Sequence, residues 1–343
     1  MYQSSLYKVL LLVFFIISAS GTEAQEKTKA ACIAFYNLEN LFDTIDDPTT
    51  NDAEFLPGGT NKWTSDRYLR KLHNMAFVIS RIGNEVMSGG PTIIGFSEIE
   101  NRQVVQDLIN APPLNNMGYD IVHYDSPDKR GVDVALIYKK ASFRVTNTTS
   151  NRLTIPWRSE WYTRDQLVVS GELDGDMIHV IVNHWPSRAS GPEYREQAAL
   201  LTRSLYDSLQ REYRDAKVFI MGDLNDDPVD PSVYKVLNAK GKEKDVKKGD
   251  LFNPMYAMFR DGIGSLAYRD AWNLFDQIIV SEPLLDAKKG WRYYKAKVFN
   301  EKFLLQQEGP YKGYPFRTYA GGAYAGGYSD HFPTYLFIVK SGD

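Results

Sequence analysis

Cysteine is nearly absent: the 343 residues hold one, Cys32. No intrachain disulfide can form, so an apolar core must carry the fold, and the chain is long enough to build one. In Ala31-Cys32-Ile33-Ala34-Phe35 the thiol sits inside a strand-like apolar run. A buried thiol there is a small hydrophobe rather than a nucleophile. A basic excess is also missing. The formal net charge is −3, without the overall positive balance usual for nucleic-acid binders. The locally basic stretch Lys240–Lys248 is interrupted by Glu243 and Asp245 and reads as a solvated loop. Long hydrophobic runs are lacking as well. The one candidate, Val9–Ile17, follows Lys8 and precedes the small residues Ser18-Ala19-Ser20-Gly21. It is too short to span a bilayer comfortably and has the layout of a secretory signal peptide.

Cleavage is expected after Ala24, with Gly21 as the alternative site and an uncleaved anchor as the competing reading. The expected organisation is a signal peptide over 1–24 and one α/β domain over 25–343, secreted or periplasmic, with no stable membrane span after processing. No fixed-period repeat or biased linker marks a further domain, and no obligate protein partner is evident.

Apolar runs, by contrast, are plentiful, and they end in an unusual way. Val218-Phe219-Ile220-Met221 reads as a buried strand, yet it leads into Gly222-Asp223-Leu224-Asn225-Asp226-Asp227-Pro228. An ionised carboxylate at the end of a buried strand is costly unless a cation or hydrogen-bond donor compensates it. In extended geometry Asp223 and Asn225 share a face; Asp226 and Asp227 read as turn residues. Other apolar runs end similarly, in Asn37/Glu39, Glu98, Asn183/His184, Asp276 and Asp330/His331. One such ending is a turn cap. Six argue for strand ends converging on a single functional rim. Of the five histidines, His73, His123 and His179 lie inside helical or strand patterns and read as packing or surface. His184 and His331 sit in the polar clusters and are the candidate proton-transfer groups. A ligand set of carboxylate and amide oxygens suits Mg²⁺ or Mn²⁺ better than zinc, and such ions polarise phosphoryl oxygens.

These motifs carry a resemblance. Tyr36-Asn37-Leu38-Glu39-Asn40, Ser97-Glu98, Asn183-His184-Trp185, Gly222-Asp223-Leu224-Asn225-Asp226, Asp276-Gln277-Ile278 and Ser329-Asp330-His331 occur in the order of the endonuclease/exonuclease/phosphatase superfamily. That group includes deoxyribonuclease I, apurinic/apyrimidinic endonucleases, inositol polyphosphate 5-phosphatases and bacterial sphingomyelinases, and the resemblance spans essentially the mature chain. It implies a four-layer α/β/β/α sandwich, deoxyribonuclease I-like, with its site at one rim of two packed sheets. It also implies that Glu98 is the principal ligand of Mg²⁺ or Mn²⁺, with Asn37, Glu39 and Asp330 near the ion. Asp223 and Asn225 resemble the pair that positions the attacking water and binds the phosphoryl group. His331, oriented by Asp276, resembles the imidazole at the reacting phosphate, and His184 an assisting acid or charge stabiliser. Arg130 and Arg188 are expected phosphate contacts by position, and Gln277 departs from the Tyr or His of many relatives.

The function so implied is metal-dependent hydrolysis of a phosphoric ester, with a secreted nuclease or phosphodiesterase leading and nucleic acid as the expected partner. A phosphomonoesterase or a phospholipid or inositol-phosphate phosphatase on the same scaffold is the alternative. A catalytically silent binding module is another, and a glycosidase with paired carboxylates a third. Tyr311, Tyr314, Tyr319, Tyr324 and Tyr328 crowd the approach to His331, either to stack on bases or to pack their own loop.

Overall fold

The computed structural model describes residues 28–285 and 290–341; the expected signal peptide lies outside them. In chain order the first elements are β1 (Thr28–Leu41), α1 (Ser65–Ile79), β2 (Ile93–Ile99), α2 (Arg102–Asn110), β3 (Tyr119–His123), β4 (Asp133–Lys139) and β5 (Phe143–Asn151). There follow β6 (Gln166–Leu173), β7 (Asp176–His184), α3 (Pro192–Glu212), β8 (Lys217–Asp223), β9 (Ala239–Lys240) and β10 (Leu251–Phe252). The remainder is α4 (Met255–Arg260), β11 (Leu266–Tyr268), β12 (Ala271–Asn273), β13 (Asp276–Ser281), β14 (Arg292–Val298), β15 (Tyr319–Ala320), β16 (Ala323–Tyr324) and β17 (Thr334–Ser341).

Two large sheets result, ordered β14-β17-β1-β2-β4-β3 and β5-β6-β7-β8-β13-β10-β9, with β11-β12 and β15-β16 as separate two-stranded sheets. The apolar runs are continuous because both faces of their strands are covered. Ala31, Ile33 and Phe35 of β1 point between the sheets, where they join Val180 and Val182 of β7 and Phe219 and Met221 of β8. Their alternates Cys32, Ala34 and Tyr36 meet Leu72, Met75 and Ala76 of α1 and Val105 and Leu108 of α2 on the outer side. On the second sheet Ile181, Val218 and Ile220 face Ala198, Tyr206 and Leu209 of α3. Period-two alternation thus sorts each strand between two cores, and the layers are helix, sheet, sheet, helix. The sheets approach closely at Gly95, where a Cβ would lie 2.6 Å from Met221 Sδ.

Register sets the rim. β1 runs parallel to β2, and β7 parallel to β8, and the Asn37–Asp223 hydrogen bond brings the ends of both pairs to the same side. His184 lies opposite Asp223, and Asp223 opposite Asp276, the first residue of the antiparallel β13. On the other sheet β17 starts at Thr334 opposite Phe35, which puts Asp330 and His331 beside the end of β1.

Two segments differ from their sequence patterns. Leu266–Trp272 and Phe275–Val280 suggest one hairpin, but β11 and β12 pair with each other and β13 leaves to join β8 and β10. Asn225 does not continue the strand of Asp223. Its φ is 51°, so the chain turns there and the shared-face argument for an extended pair fails.

Candidate active site

Local backbone irregularity builds this site. The pairing of β1 and β2 is regular to Asn37–Ser97 and resumes at Leu41–Ile99. Three residues of one strand thus oppose one of the other. Inside that bulge Glu39, Asn40 and Glu98 have φ of 50°, 54° and 58°, left-handed conformations that non-glycine residues seldom adopt. Bulges re-aim side chains beside functional sites, and strain of this kind persists only where surroundings enforce it. Here Glu98 Oε2 accepts from Asn40 N at 3.0 Å, and Glu98 Oε1 is left 3.9 Å from His184 Nε2.

On the facing sheet Asp223 is buried and held at both oxygens. Oδ2 accepts from Asn37 Nδ2 at 3.0 Å and Oδ1 from Asn225 N at 3.0 Å. Asp223 Oδ2 also lies 3.7 Å from His184 Nε2 and 4.0 Å from His331 Nε2. Gly222 lets this strand approach β7, since a Cβ there would fall 2.3 Å from Asn183 O. Asn225 Nδ2 donates to Trp185 O at 3.0 Å, fixing the turn that follows.

His331 Nδ1 lies 2.6 Å from Asp276 Oδ2, which also accepts from Ser265 Oγ at 2.5 Å. Burial alone would strip the imidazole of its proton. The Asp276 carboxylate, with Asp223 and Asp330 behind it, outweighs burial and holds the His331 pKa well above the usual histidine range. His184 goes the other way. Its burial, with the Arg164, Arg130 and His331 charges added, holds its pKa well below that range. The site therefore pairs an imidazolium with a neutral imidazole. Burial pushes the Asp223 carboxyl up to about 7; the charged His331 opposes that rise, and Asp276 and Glu98 add to it.

Three acids, Asp223, Asp276 and Asp330, thus surround the His331 imidazolium, with Glu98 beside His184, and Asp276 Oδ1 is buried without a hydrogen-bond partner. Carboxylate oxygens of Asp223 and Asp276 lie within 4.8 Å of each other. Such crowding of hard oxygen donors fits a divalent cation of the Mg²⁺ class.

Glu39 stands differently from its expected place as an ion ligand. Its Oε1 accepts from Arg317 Nε at 3.1 Å, and its Oε2 from Thr318 N at 2.7 Å and Lys71 Nζ at 3.4 Å. Lys71 and Arg317 balance its charge, and the carboxylate anchors the loop that leads to His331. Arg188 is likewise engaged. It donates to Asn225 O, Asn273 Oδ1, Asp227 Oδ2 and Asp230 Oδ2, so its donors bind the β8–β13 connection together. Arg130 does reach the rim, where it bonds Asn40 Oδ1 and lines a small cavity with Glu39, Asn40 and Arg317. Asp226 and Asp227 are more than turn residues: buried Asp226 lies 2.7 Å from Arg195 Nε, and Asp227 Oδ1 accepts from Leu274 N.

Three charged residues escape the sequence reading. Arg164 donates to Asp128 Oδ2 and Trp185 O beside His184; an arginine at the mouth of the buried strand β6 carries the same signal that singled out Asp223. Lys71, on the inner face of α1, donates to Thr318 Oγ1 and Tyr328 O, and a lysine on an apolar helix face is its signal. Arg317, which also donates to Asp330 Oδ2 at 2.7 Å, has no signal in the sequence. The other histidines sit elsewhere: His73 is exposed, His179 bonds Ser170 Oγ in the core, and His123 pairs with Asp133 at 2.9 Å.

The sequence profile of the Endonuclease/Exonuclease/phosphatase family matches residues 32–340. The chain belongs to this family. It is thereby a hydrolase of the phosphoester-cleaving type, in a family whose enzymes use divalent metals. No curated protein sequence matches it. Among solved structures, D. rerio TDP2 in complex with a single-strand DNA product is 13% identical at a TM-score of 0.55, covering 90% of this chain and 98% of that one. A mannosyl-6-phosphatase of Bacteroides thetaiotaomicron is 17% identical at 0.54, covering 90% and 99%. An endonuclease/exonuclease/phosphatase family protein of the same organism is 18% identical at 0.55, covering 92% and 99%. At these identities the likeness is one of fold. It places the family member described here in the α/β sandwich that its own strand pairing shows.

Proposed function

We propose that this family member is a Mg²⁺- or Mn²⁺-dependent phosphodiesterase that cleaves nucleic acid by in-line attack of water. The observation that carries the reading is the His331–Asp276 pair at 2.6 Å facing Asp223 across 4.0 Å, with Glu98 beside them. Glu98, Asn37 and Asp330 would hold the ion, which supplies Lewis-acid polarisation of a phosphoryl oxygen when bound. Glu39 is left out of that set because its buried carboxylate is already balanced by two cations, Lys71 and Arg317.

Asp223 is the base in this scheme. It faces the rim, is fixed by Asn37 and Asn225, and has a pKa pushed up to about 7, near the value a general base needs at neutral pH. His331, protonated, places positive charge at the equatorial oxygens, where charge grows in the transition state. His184, neutral, orients its Nε2 toward Glu98 and Asp223 and donates to the phosphoryl group. Arg130 is the phosphate contact at the edge; Arg188 holds the loop under Asn225 instead. Action outside the cytoplasm rests on the residue pattern of 1–24 alone.

The nucleic-acid reading is supported by the single-strand DNA product bound to D. rerio TDP2. The mannosyl-6-phosphatase of the same fold keeps a phosphomonoester as the second reading. Incubation with Mg²⁺ or Mn²⁺ against plasmid DNA, single-stranded DNA, RNA and a set of phosphomonoesters separates them. Strand cleavage is expected. Release of inorganic phosphate from monoesters, with every nucleic acid intact, would reverse the order of the two readings.

A further inference from the structure

A cavity of about 420 Å³ opens beside Asp330, walled by Tyr268, Arg269, Tyr311, Tyr314, Arg317 and Asp330. That volume lies in the range of small-molecule sites. It adjoins the chemistry directly, since Asp330 Oδ1 is 4.0 Å from His331 Nε2. Three pieces of chain make it: the β11–β12 hairpin, the loop from Leu304 to Tyr328 that Glu39 anchors, and Asp330.

We propose that this cavity is a subsite for a planar nucleobase of the substrate, an assignment that rests on the phosphodiesterase reading above. The walls are the argument. Tyr268 and Tyr311 are 63% and 44% exposed, and large aromatics in a concave rim mark binding surfaces. Tyr311 and Tyr314 stand 6.0 Å apart at 55°, and Trp272 backs Tyr314 at 6.2 Å while stacking on Phe332 at 5.9 Å. The ring wall is thus continuous with the residue that follows His331.

The hairpin is also held in a set position. Its two turn residues, Arg269 and Asp270, have φ of 49° and 63° between the paired Tyr268 and Ala271. A turn of that hand prefers asparagine, aspartate or glycine, so Arg269 is strained. Tyr314 secures it: its hydroxyl donates to Asp270 Oδ1 at 2.6 Å and accepts from Asp270 N at 2.7 Å.

The surface of the wall suits a base. Asp270 Oδ1 is bonded to Tyr314 and Asp330 Oδ2 to Arg317, so these acids are partly engaged within the wall, and the exposed ring faces of Tyr268 and Tyr311 are its largest apolar feature. A flat π-system needs ring faces, which this wall provides.

The test compares dithymidine monophosphate with its two analogues in which one base is replaced by an abasic tetrahydrofuran. The wild-type protein should prefer the intact dinucleotide over at least one analogue by roughly tenfold or more in kcat/KM. The double variant Tyr268→Ala/Tyr311→Ala, altered only at exposed side chains, should lose that preference and keep its rate on the analogue. An equal fall on both substrates, or no change on either, would overturn the subsite. Should the wild type cleave none of these esters, the phosphodiesterase reading fails by itself. Calorimetry with thymidine 5′-monophosphate against deoxyribose 5-phosphate then judges the cavity independently. Tighter binding of the nucleotide, lost in the double variant, upholds the cavity as a base site, and equal affinities overturn it. A thymidine oligonucleotide run beside the dinucleotide tells whether the base arrives on a strand or as a free nucleotide.

Discussion

Replacing Asp276 by Asn isolates the electrostatic part of the site. The carboxylate accepts from a buried His331 at 2.6 Å and from Ser265 Oγ at 2.5 Å, and an amide of the same shape can keep both contacts while losing the charge. A hydrogen bond to a charged partner contributes roughly 1.5–3 kcal/mol. Losing that charge lowers the His331 pKa toward the usual histidine range. Burial already disfavours that proton, and nothing else within reach replaces Asp276 in full. If His331 meets growing charge on the phosphoryl oxygens as an imidazolium, the same energy appears in the barrier, and kcat should fall roughly 10- to 150-fold. The assay is kcat on a chromogenic phosphodiester at saturating Mg²⁺, read beside the His331 ring resonances across pH. A variant that melts like the wild type, keeps its imidazole charged and turns over within threefold would refute the argument.

Other consequences are as specific. Glu39→Gln should leave Mg²⁺ affinity within about threefold while lowering the melting temperature, because Glu39 bonds Lys71, Thr318 and Arg317 and breaking a buried ion pair costs about 3–5 kcal/mol; a tenfold loss of metal affinity would restore it to the ligand set. Burial lowers the His179 pKa to about 4, so between pH 6.5 and 4 the unfolded chain binds a proton that the folded chain refuses. Stability therefore falls as pH drops through that window, by up to roughly 3 kcal/mol. Chemical denaturation of His179→Gln should show a flatter acid limb, and an unchanged limb would contradict the assignment. Arg188→Met should destabilise the β8–β13 connection while leaving KM for a small diester within about threefold, whereas a large KM rise at unchanged stability would return Arg188 to the phosphate.

Much of the layout was legible in the sequence because burial on both faces forces an unbroken apolar run, and β1, β2, β7, β8 and β17 are such runs. The convergence of their polar ends followed from the same pattern. What was not legible is where pairing departs from the regular ladder. The bulge that turns Glu39, Asn40 and Glu98 into left-handed backbone leaves no mark in composition, and it decides that Glu98 faces the rim while Glu39 turns to Arg317. Leu266–Trp272 and Phe275–Val280 suggest a hairpin because two strand-like runs lie only two residues apart, whereas Tyr268 and Ala271 pair within the first run and β13 satisfies its backbone on β8 and β10. Long-range partners were invisible for a related reason: Arg317 and Lys71 take their meaning from Glu39, a residue hundreds of positions or one helix away.

The most direct test is metal titration of the stripped protein. After EDTA treatment and exchange, hydrolysis of a chromogenic phosphodiester should be absent, return saturably with added Mg²⁺ or Mn²⁺, and stay absent in a folded His331→Ala variant. Hydrolysis that persists without metal, or that His331→Ala retains at the wild-type rate, would contradict the account.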